Sequence, residues 1–163
     1  MNEAAAKMHD GVRPLNDGDL ERVIAIDRAH SGVARRHFYA KRFAAAAARP
    51  DEFIHLGDVR NGVLHGFAIA RVFTGEFGRQ SKTAMLDALG VGTEVQDRGV
   101  GRELMEALLA ALRRAGVTML QSQAAWTNHS LTRFFDASGF KLADRMVLER
   151  RVAEPLAELS EEE

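Results

Sequence analysis

Between Val91 and Gly101 the spacing of apolar residues changes period, and this switch constrains the fold more than any other feature of the chain. Upstream, Thr83 to Val91 is a nearly continuous apolar run of strand length. Downstream, Val100, Leu104, Met105, Leu108, Leu109 and Leu112 recur at helical spacing as far as Gly116. A loop with glycines at 92, 99 and 101 joins them. The pattern predicts strand, tight loop and amphipathic helix, the building unit of a sheet covered by helices.

The remaining segments extend the same alternation. Val12 to Leu15 predicts a short strand, and Asn16 or Asp17 then caps a helix with Leu20, Val23 and Ile24 on one face. Ser31-Gly32 ends it. A second helix is expected from Val33 to Ala48, stopping before Pro50 because the residue preceding proline avoids helical geometry. Phe53 to Leu56 opens a strand, Asn61-Gly62 is a strong hairpin signal, and Val63 to Phe73 returns. After the long helix, Val117 to Ala124 predicts a strand. Asn128 to Gly139 predicts a short helix, and Phe140 to Val152 a closing strand. The expected class is α/β, a mixed sheet with helices on both faces.

Composition narrows the function. A chain of 163 residues suits one domain, expected over residues 11–152, with an N-terminal arm at 1–10 and an acidic tail at 153–163. Zero Cys excludes disulfides, thiol catalysis and Cys-ligated zinc, and no His, Asp and Glu spacing suggests a metal. With 22 Lys+Arg against 23 Asp+Glu, the formal charge is -1, so no general attraction to nucleic acid or anionic membrane is expected. The N-terminus has no apolar leader and no segment is long enough to span a bilayer, so a cytoplasmic location is expected.

The loop from Val91 to Gly101 carries the chemistry. Gly99 and Gly101 permit tight turning and close approach of backbone to a ligand. The helix that follows begins with unpaired N–H groups at its positive end, and Arg98 and Arg102 add charge, so the unit is suited to a phosphate or pyrophosphate. It is not a P-loop, since GxxxxGK[ST] is missing. It also lacks GxGxxG, which argues against a dinucleotide site.

Gln96-x-x-Gly99-x-Gly101 after a strand resembles the Q/R-x-x-G-x-G/A signature of the GNAT acetyltransferase superfamily. Asn128 followed by Phe134-Phe135-Asp136-Ala137-Ser138-Gly139-Phe140 is similar to a second family segment, and Arg13-Pro14 with Asp19-Leu20 to its usual opening. The resemblance covers roughly residues 11 to 150 and implies a central, mostly antiparallel sheet. It also implies acetyl-CoA as acyl donor. Gln96, Asp97, Arg98, Gly99, Val100, Gly101 and Arg102 would hold the pyrophosphate. The backbone of Leu89, Gly90 and Val91 would pair with the pantetheine arm, and Asn128 would contact the cofactor or cap its helix. The implied reaction is direct transfer of acetyl to a primary amine on a small molecule, protein or peptide. The alternative is an acyl-CoA-binding sensor or regulator that has lost turnover.

The family's usual general acid is a tyrosine four residues before the closing Gly-Phe pair, a position held here by Phe135. Phe135 cannot give a proton. Water, Tyr39 or His129 would have to act, or the thiolate would leave unassisted. Some members carry a catalytic Glu where this chain has Met85. Asp87, two residues on and an isolated carboxylate in an apolar strand, is the first candidate base, with Glu76 the second. The segment joining the first two helices commonly lines the acceptor pocket in this superfamily. On that basis Arg35, Arg36 and Tyr39 are the expected acceptor-binding residues, the arginines as forks for a carboxylate. Trp126 is an alternative pocket wall. His65 and Asp58 would face each other across the Asn61-Gly62 hairpin. Too few strand-like residues follow Phe140 for two full strands, so a homodimer that supplies the missing strand is a further expectation.

Overall fold

In the computed structural model, which describes residues 11–75 and 80–155, the hairpin signal sets the sheet. Asn61 and Gly62 both take positive φ, 50° and 76°, the turn that matches the right-handed twist of paired strands. They join β2 (Phe53–Arg60) to β3 (Val63–Phe73), with Arg60 opposite Val63. β1 (Gly11–Pro14) flanks β2, and β4 (Lys82–Val91) flanks β3. These four strands run antiparallel in chain order, and β5 (Val117–Ser122) adds to β4 in parallel.

Helices cover both faces, as expected of a mixed α/β sheet. α1 (Leu20–Ser31) and α2 (Arg36–Ala48) lie on one face, where Val23, Ile26, Tyr39 and Phe43 pack with Val59, Phe67 and Ile69. α3 (Val100–Arg114) lies on the other, burying Leu104, Leu108 and Leu112 against Ala68, Ala70, Ala84 and Leu86. Each fully buried leucine contributes about 1.5–3 kcal/mol. Small alanines in the strands let the helix sit close. α4 (His129–Ala137) adds Phe134 and Phe135 to this second core.

The entry to α1 is held by charge and by local hydrogen bonds. Asn16 Oδ1 accepts from Gly18 N–H at 2.9 Å, and the Asp19 carboxylate accepts from Asn16 N–H at 2.8 Å. Arg13 donates to both Asp19 oxygens at 2.7 and 2.9 Å. Burial opposes ionisation of Asp19, yet Arg13 and the Asn16 N–H outweigh it and hold the carboxyl below its ordinary range.

Several expectations shift. α2 begins at Arg36 rather than Val33, and β5 stops at Ser122, two residues short. The pairing of His65 with Asp58 does not form. A bulge sets Asp58 opposite Gly66 and Val59 opposite Leu64, skipping His65, and buried Asp58 accepts from Arg60 Nε at 3.0 Å instead. The closing strand from Phe140 to Val152 is not formed either. Phe140 packs on Phe135 at 4.7 Å between ring centroids, but Leu142, Leu148 and Val152 beyond it are 90%, 86% and 98% exposed. A strand-forming sequence becomes a strand only when a sheet edge accepts it. The expected N-terminal arm and most of the acidic tail lie outside the described residues.

Candidate active site

The site is built where β4 and β5 part. Their ladder runs from Lys82 opposite Val117 to Leu86 opposite Ser122 and ends, while β4 continues to Val91. Ser122 Oγ closes the fork, donating to the Leu86 carbonyl at 3.1 Å. At the same point β4 carries a bulge. Ala70 pairs with Leu86 and Ile69 with Ala88, so Asp87 is the extra residue. The side-chain alternation slips accordingly: Ala84, Leu86, Leu89 and Val91 pack toward α3, whereas Ala88 packs toward α1 and α2.

Beyond the bulge one backbone edge of β4 is unpaired. Gly92 N–H donates to the His65 carbonyl in β3 at 2.7 Å. In a trans peptide the preceding C=O points the opposite way, so the Val91 carbonyl faces the free edge. His30 Nε2, from the last turn of α1, lies 2.6 Å from it. Leu89, two residues back, shares that edge by strand periodicity. Gly90 presents its backbone to β3, and a Cβ there would meet Phe67 at 2.7 Å. An extended, amide-bearing ligand can therefore add alongside Leu89 as a strand would, and at Val91 it meets a carbonyl already in contact with His30.

The free edge leads into the glycine loop. After a single 3₁₀ turn at Thr93–Val95, anchored by buried Val95, Asp97 and Gly99 adopt φ of 61° and 81°. Gly99 precedes α3, and the first amide to find a helical carbonyl is that of Glu103, 3.0 Å from the Gly99 C=O. No side chain caps this terminus. The N–H groups of Val100, Gly101 and Arg102 are left to an external acceptor. Gln96, Asp97, Arg98 and Gly99 are exposed, and nothing lies within 4 Å of a Cβ built on Gly99. These features fit an anionic group at the loop. Gly101 has an additional reason to be glycine: its Cβ would meet Phe134 at 3.1 Å, so it lets α4 close on α3. Arg102 is exposed and pairs with Glu106 at 2.9 Å.

On the α1/α2 side of the bulge lies a charged cluster. Asp87 accepts from Arg71 Nε and Nη2 at 2.6 and 2.8 Å, and Arg42 Nε lies 3.0 Å from it. The ring of His55 is near both charges. Burial, and to a smaller degree Arg42, pushes its pKa down to about 4 against the opposing pull of Asp87. Asp87 is thus shared by two guanidiniums. Glu76 lies outside the described residues.

The expected acceptor residues are engaged elsewhere. Arg35 donates to both Asp27 oxygens, at 2.9 and 2.5 Å, and Arg36 pairs with Glu21. Tyr39 is fully buried, edge-on to Phe38 and Phe67, and its oxygen accepts from Arg35 at 3.2 Å. Burial pushes the phenol pKa upward. Tyr39 is therefore a core residue out of reach of solvent, and the two arginines brace α2 on α1 rather than standing open. Asn128 caps α4, accepting from Leu131 N–H at 3.2 Å. Trp126 and His129 are exposed beside it. Sequence reasoning missed Arg71 and His30, and it placed Arg42 just past the acceptor-lining segment without singling it out. A lone Arg and a lone Asp in adjacent apolar segments were the available sign of the first pairing; nothing in the sequence marks His30.

No curated protein matches the chain in sequence. Solved structures do match the fold. Aminoglycoside 6′-N-acetyltransferase AAC(6′)-IG from Acinetobacter haemolyticus is 13% identical with a TM-score of 0.73, over 88% of this chain and 99% of that one. AAC(6′)-Iy, in complex with the bisubstrate analogue CoA-S-monomethyl-acetylneamine, is 19% identical with the same TM-score, over 88% of this chain and 98% of that one. A transcriptional regulator from Bacillus halodurans C-125 is 16% identical with a TM-score of 0.73, again over 88% and 99%. The profile of the acetyltransferase (GNAT) family matches residues 20–140. With that match spanning most of the chain, and the forked β4 edge running into an uncapped helix at its centre, this protein belongs to the acetyltransferase (GNAT) family.

Proposed function

We propose that the protein is an N-acetyltransferase that moves an acetyl group from acetyl-CoA, the family's donor, to a primary amine by direct attack. The observation that carries this reading is the free edge of β4 continuing into the exposed loop and the uncapped start of α3. Leu89, Gly90 and Val91 would present the edge to the pantetheine arm. Gln96, Asp97, Arg98, Gly99, Val100, Gly101 and Arg102 would hold the pyrophosphate, and Asn128 would contact the cofactor with the half of its amide not used for capping. Bound acetyl-CoA supplies the acyl group as a thioester.

The chain's own residues do the rest. Asp87, at the mouth of the fork, takes the acceptor's proton through water, with Glu76 kept as the second candidate. Phe135 offers no proton. The thiolate leaves unassisted, which a thiol with a pKa of about 8.5 tolerates. The working location is the cytoplasm, and the catalytic unit is a single domain over residues 11–152. Among the described residues no helix is long and apolar enough to cross a membrane, and no cluster of potential metal ligands occurs.

The functional unit in this reading is a homodimer. Leu142, Met146, Leu148 and Val152 fall on even positions, the spacing of one strand face, and all are at least 85% exposed. β5 is an edge strand, open on the side away from β4. A second copy offering the same segment would cover both.

A thermal-unfolding scan tests the donor assignment. Acetyl-CoA at about 100 times its Kd stabilises by about 2.7 kcal/mol, or roughly 5–11 °C for a domain of this size. ATP and NAD should give no shift, and equal shifts with all three would sink the reading. A second reading, an acyl-CoA sensor without turnover, is favoured by Phe135 and by the neighbour described as a transcriptional regulator. Release of CoA thiol with any amine rules it out.

A further inference from the structure

We infer that the acceptor carries a carboxylate near its reactive amine and that Arg42 and Arg71, at the bulge of β4, receive it; this rests on the acetyltransferase reading above. Arg42, Arg71 and Asp87 place two cations against one anion where the β4–β5 fork opens. Both Asp87 oxygens accept from Arg71. Arg42 Nε sits at ion-pair distance, 3.0 Å, but its angle makes no hydrogen bond, and the atom is buried without a partner. His55 Nε2, in the same cluster, is likewise buried and unpartnered. Buried polar atoms without partners are rare in a finished structure, and two of the three among the described residues lie in this cluster, the third being His65 Nδ1.

The guanidiniums are also held in a shape suited to the task. Arg42 lies over Phe38, with its carbon 5.0 Å from the ring centroid, and Arg71 over Phe73 at 5.1 Å. Stacking fixes their planes and leaves their edges for hydrogen bonds. The side chains are 25% and 32% exposed, so the cluster reaches solvent while Asp87, at 6%, does not. Arg35 and Arg36 are each matched one to one, by Asp27 and Glu21, whereas Arg42 and Arg71 share a single carboxylate. A guanidinium binds a carboxylate through charge-assisted hydrogen bonds, and two guanidiniums on one buried carboxylate leave one positive charge for a second. The same surplus charge disfavours an ammonium at this point, which favours the neutral amine needed for attack and discriminates against polycations.

Matched acceptors test the inference. CoA-thiol release would be measured with L-phenylalanine against L-phenylalaninamide and glycylglycine against glycylglycinamide, with spermidine and kanamycin as polycations. The carboxylate of each pair should be preferred by about tenfold or more in kcat/KM. Arg42→Gln leaves the Arg71–Asp87 pair intact, so it is the variant expected to fold, as its unchanged Tm would show. It should raise KM for the carboxylate acceptors by about tenfold relative to KM for the matching amides, and leave KM for acetyl-CoA unmoved. Equal use of acid and amide, preference for a polycation, no turnover of any carboxylate acceptor, or an equal effect of Arg42→Gln on both members of a pair would each overturn it. If acetyl-CoA raises Tm and the pairs do not separate, this inference alone fails; if acetyl-CoA gives no shift, the donor reading fails with it.

Discussion

β3 and the segment from Phe140 to Val152 are similar in length and both rich in strand-forming residues, yet only one is a strand. Val63 to Phe73 is paired on both sides and buried on both faces, with Phe67, Ala68, Ile69 and Ala70 fully enclosed. The later segment has no ladder, and its large apolar side chains face solvent. β3 follows a two-residue turn that delivers it to its partner. Residues 140–152 follow α4, with no tight turn to return them to the open edge of β5. Strand propensity is a statement about neighbours, so the same kind of sequence is core in one place and an exposed arm in the other.

Mutations can break this contrast from the core side first. Leu104→Ala should cost about 2–5 kcal/mol, read as a fall in the denaturant midpoint, because the leucine is wholly enclosed between α3 and the sheet. Leu148→Asp should leave monomer stability within about 0.5 kcal/mol, since the side chain is 86% exposed. It should nevertheless convert the proposed dimer to monomer in sedimentation velocity. A wild type that sediments as a monomer at high micromolar concentration would refute the arm's assigned role.

Smaller effects sharpen the same comparison at the loop and the charged groups. Gly99→Ala forces an L-residue to a φ of 81° and should lose about 1 kcal/mol along with part of the acetyl-CoA thermal shift. His55 titrates at about 4 when folded, against about 6.5 when unfolded. Between these values only the unfolded chain takes up the proton, so stability falls as pH drops from 6.5 toward 4. His55→Gln should narrow the difference in Tm between pH 7 and pH 5 by about 2–5 °C. Asp19 has a depressed folded pKa, so its contribution is present above the unfolded value of about 4 and is lost as pH falls through the folded one. Asp19→Asn should flatten the acid limb below pH 4 and leave the region above pH 5 parallel to wild type.

What could be read in advance was whatever neighbouring residues decide among themselves. Asn61-Gly62 adopts positive φ for local steric reasons, and the hairpin followed. The period of Leu104, Met105, Leu108 and Leu112 is a property of one helix and set its buried face. The glycine loop and its helix N-terminus belong to a single stretch of chain, so the proposed donor site was legible residue by residue. The proposed acceptor side was not. Asp87 became a bulge because β3 and β4 differ by one residue in register, a quantity no single strand carries. Arg42, Arg71 and Asp87 come from a helix and two strands and meet only after the sheet has formed, while Tyr39 looked accessible until Phe67 and α1 enclosed it. The sequence by itself determined local conformation and periodicity, where the energy depends on residues a few positions apart. Tertiary structure alone decided which charges share a buried space and which edge is left open, because those energies depend on distances between segments far apart in the chain.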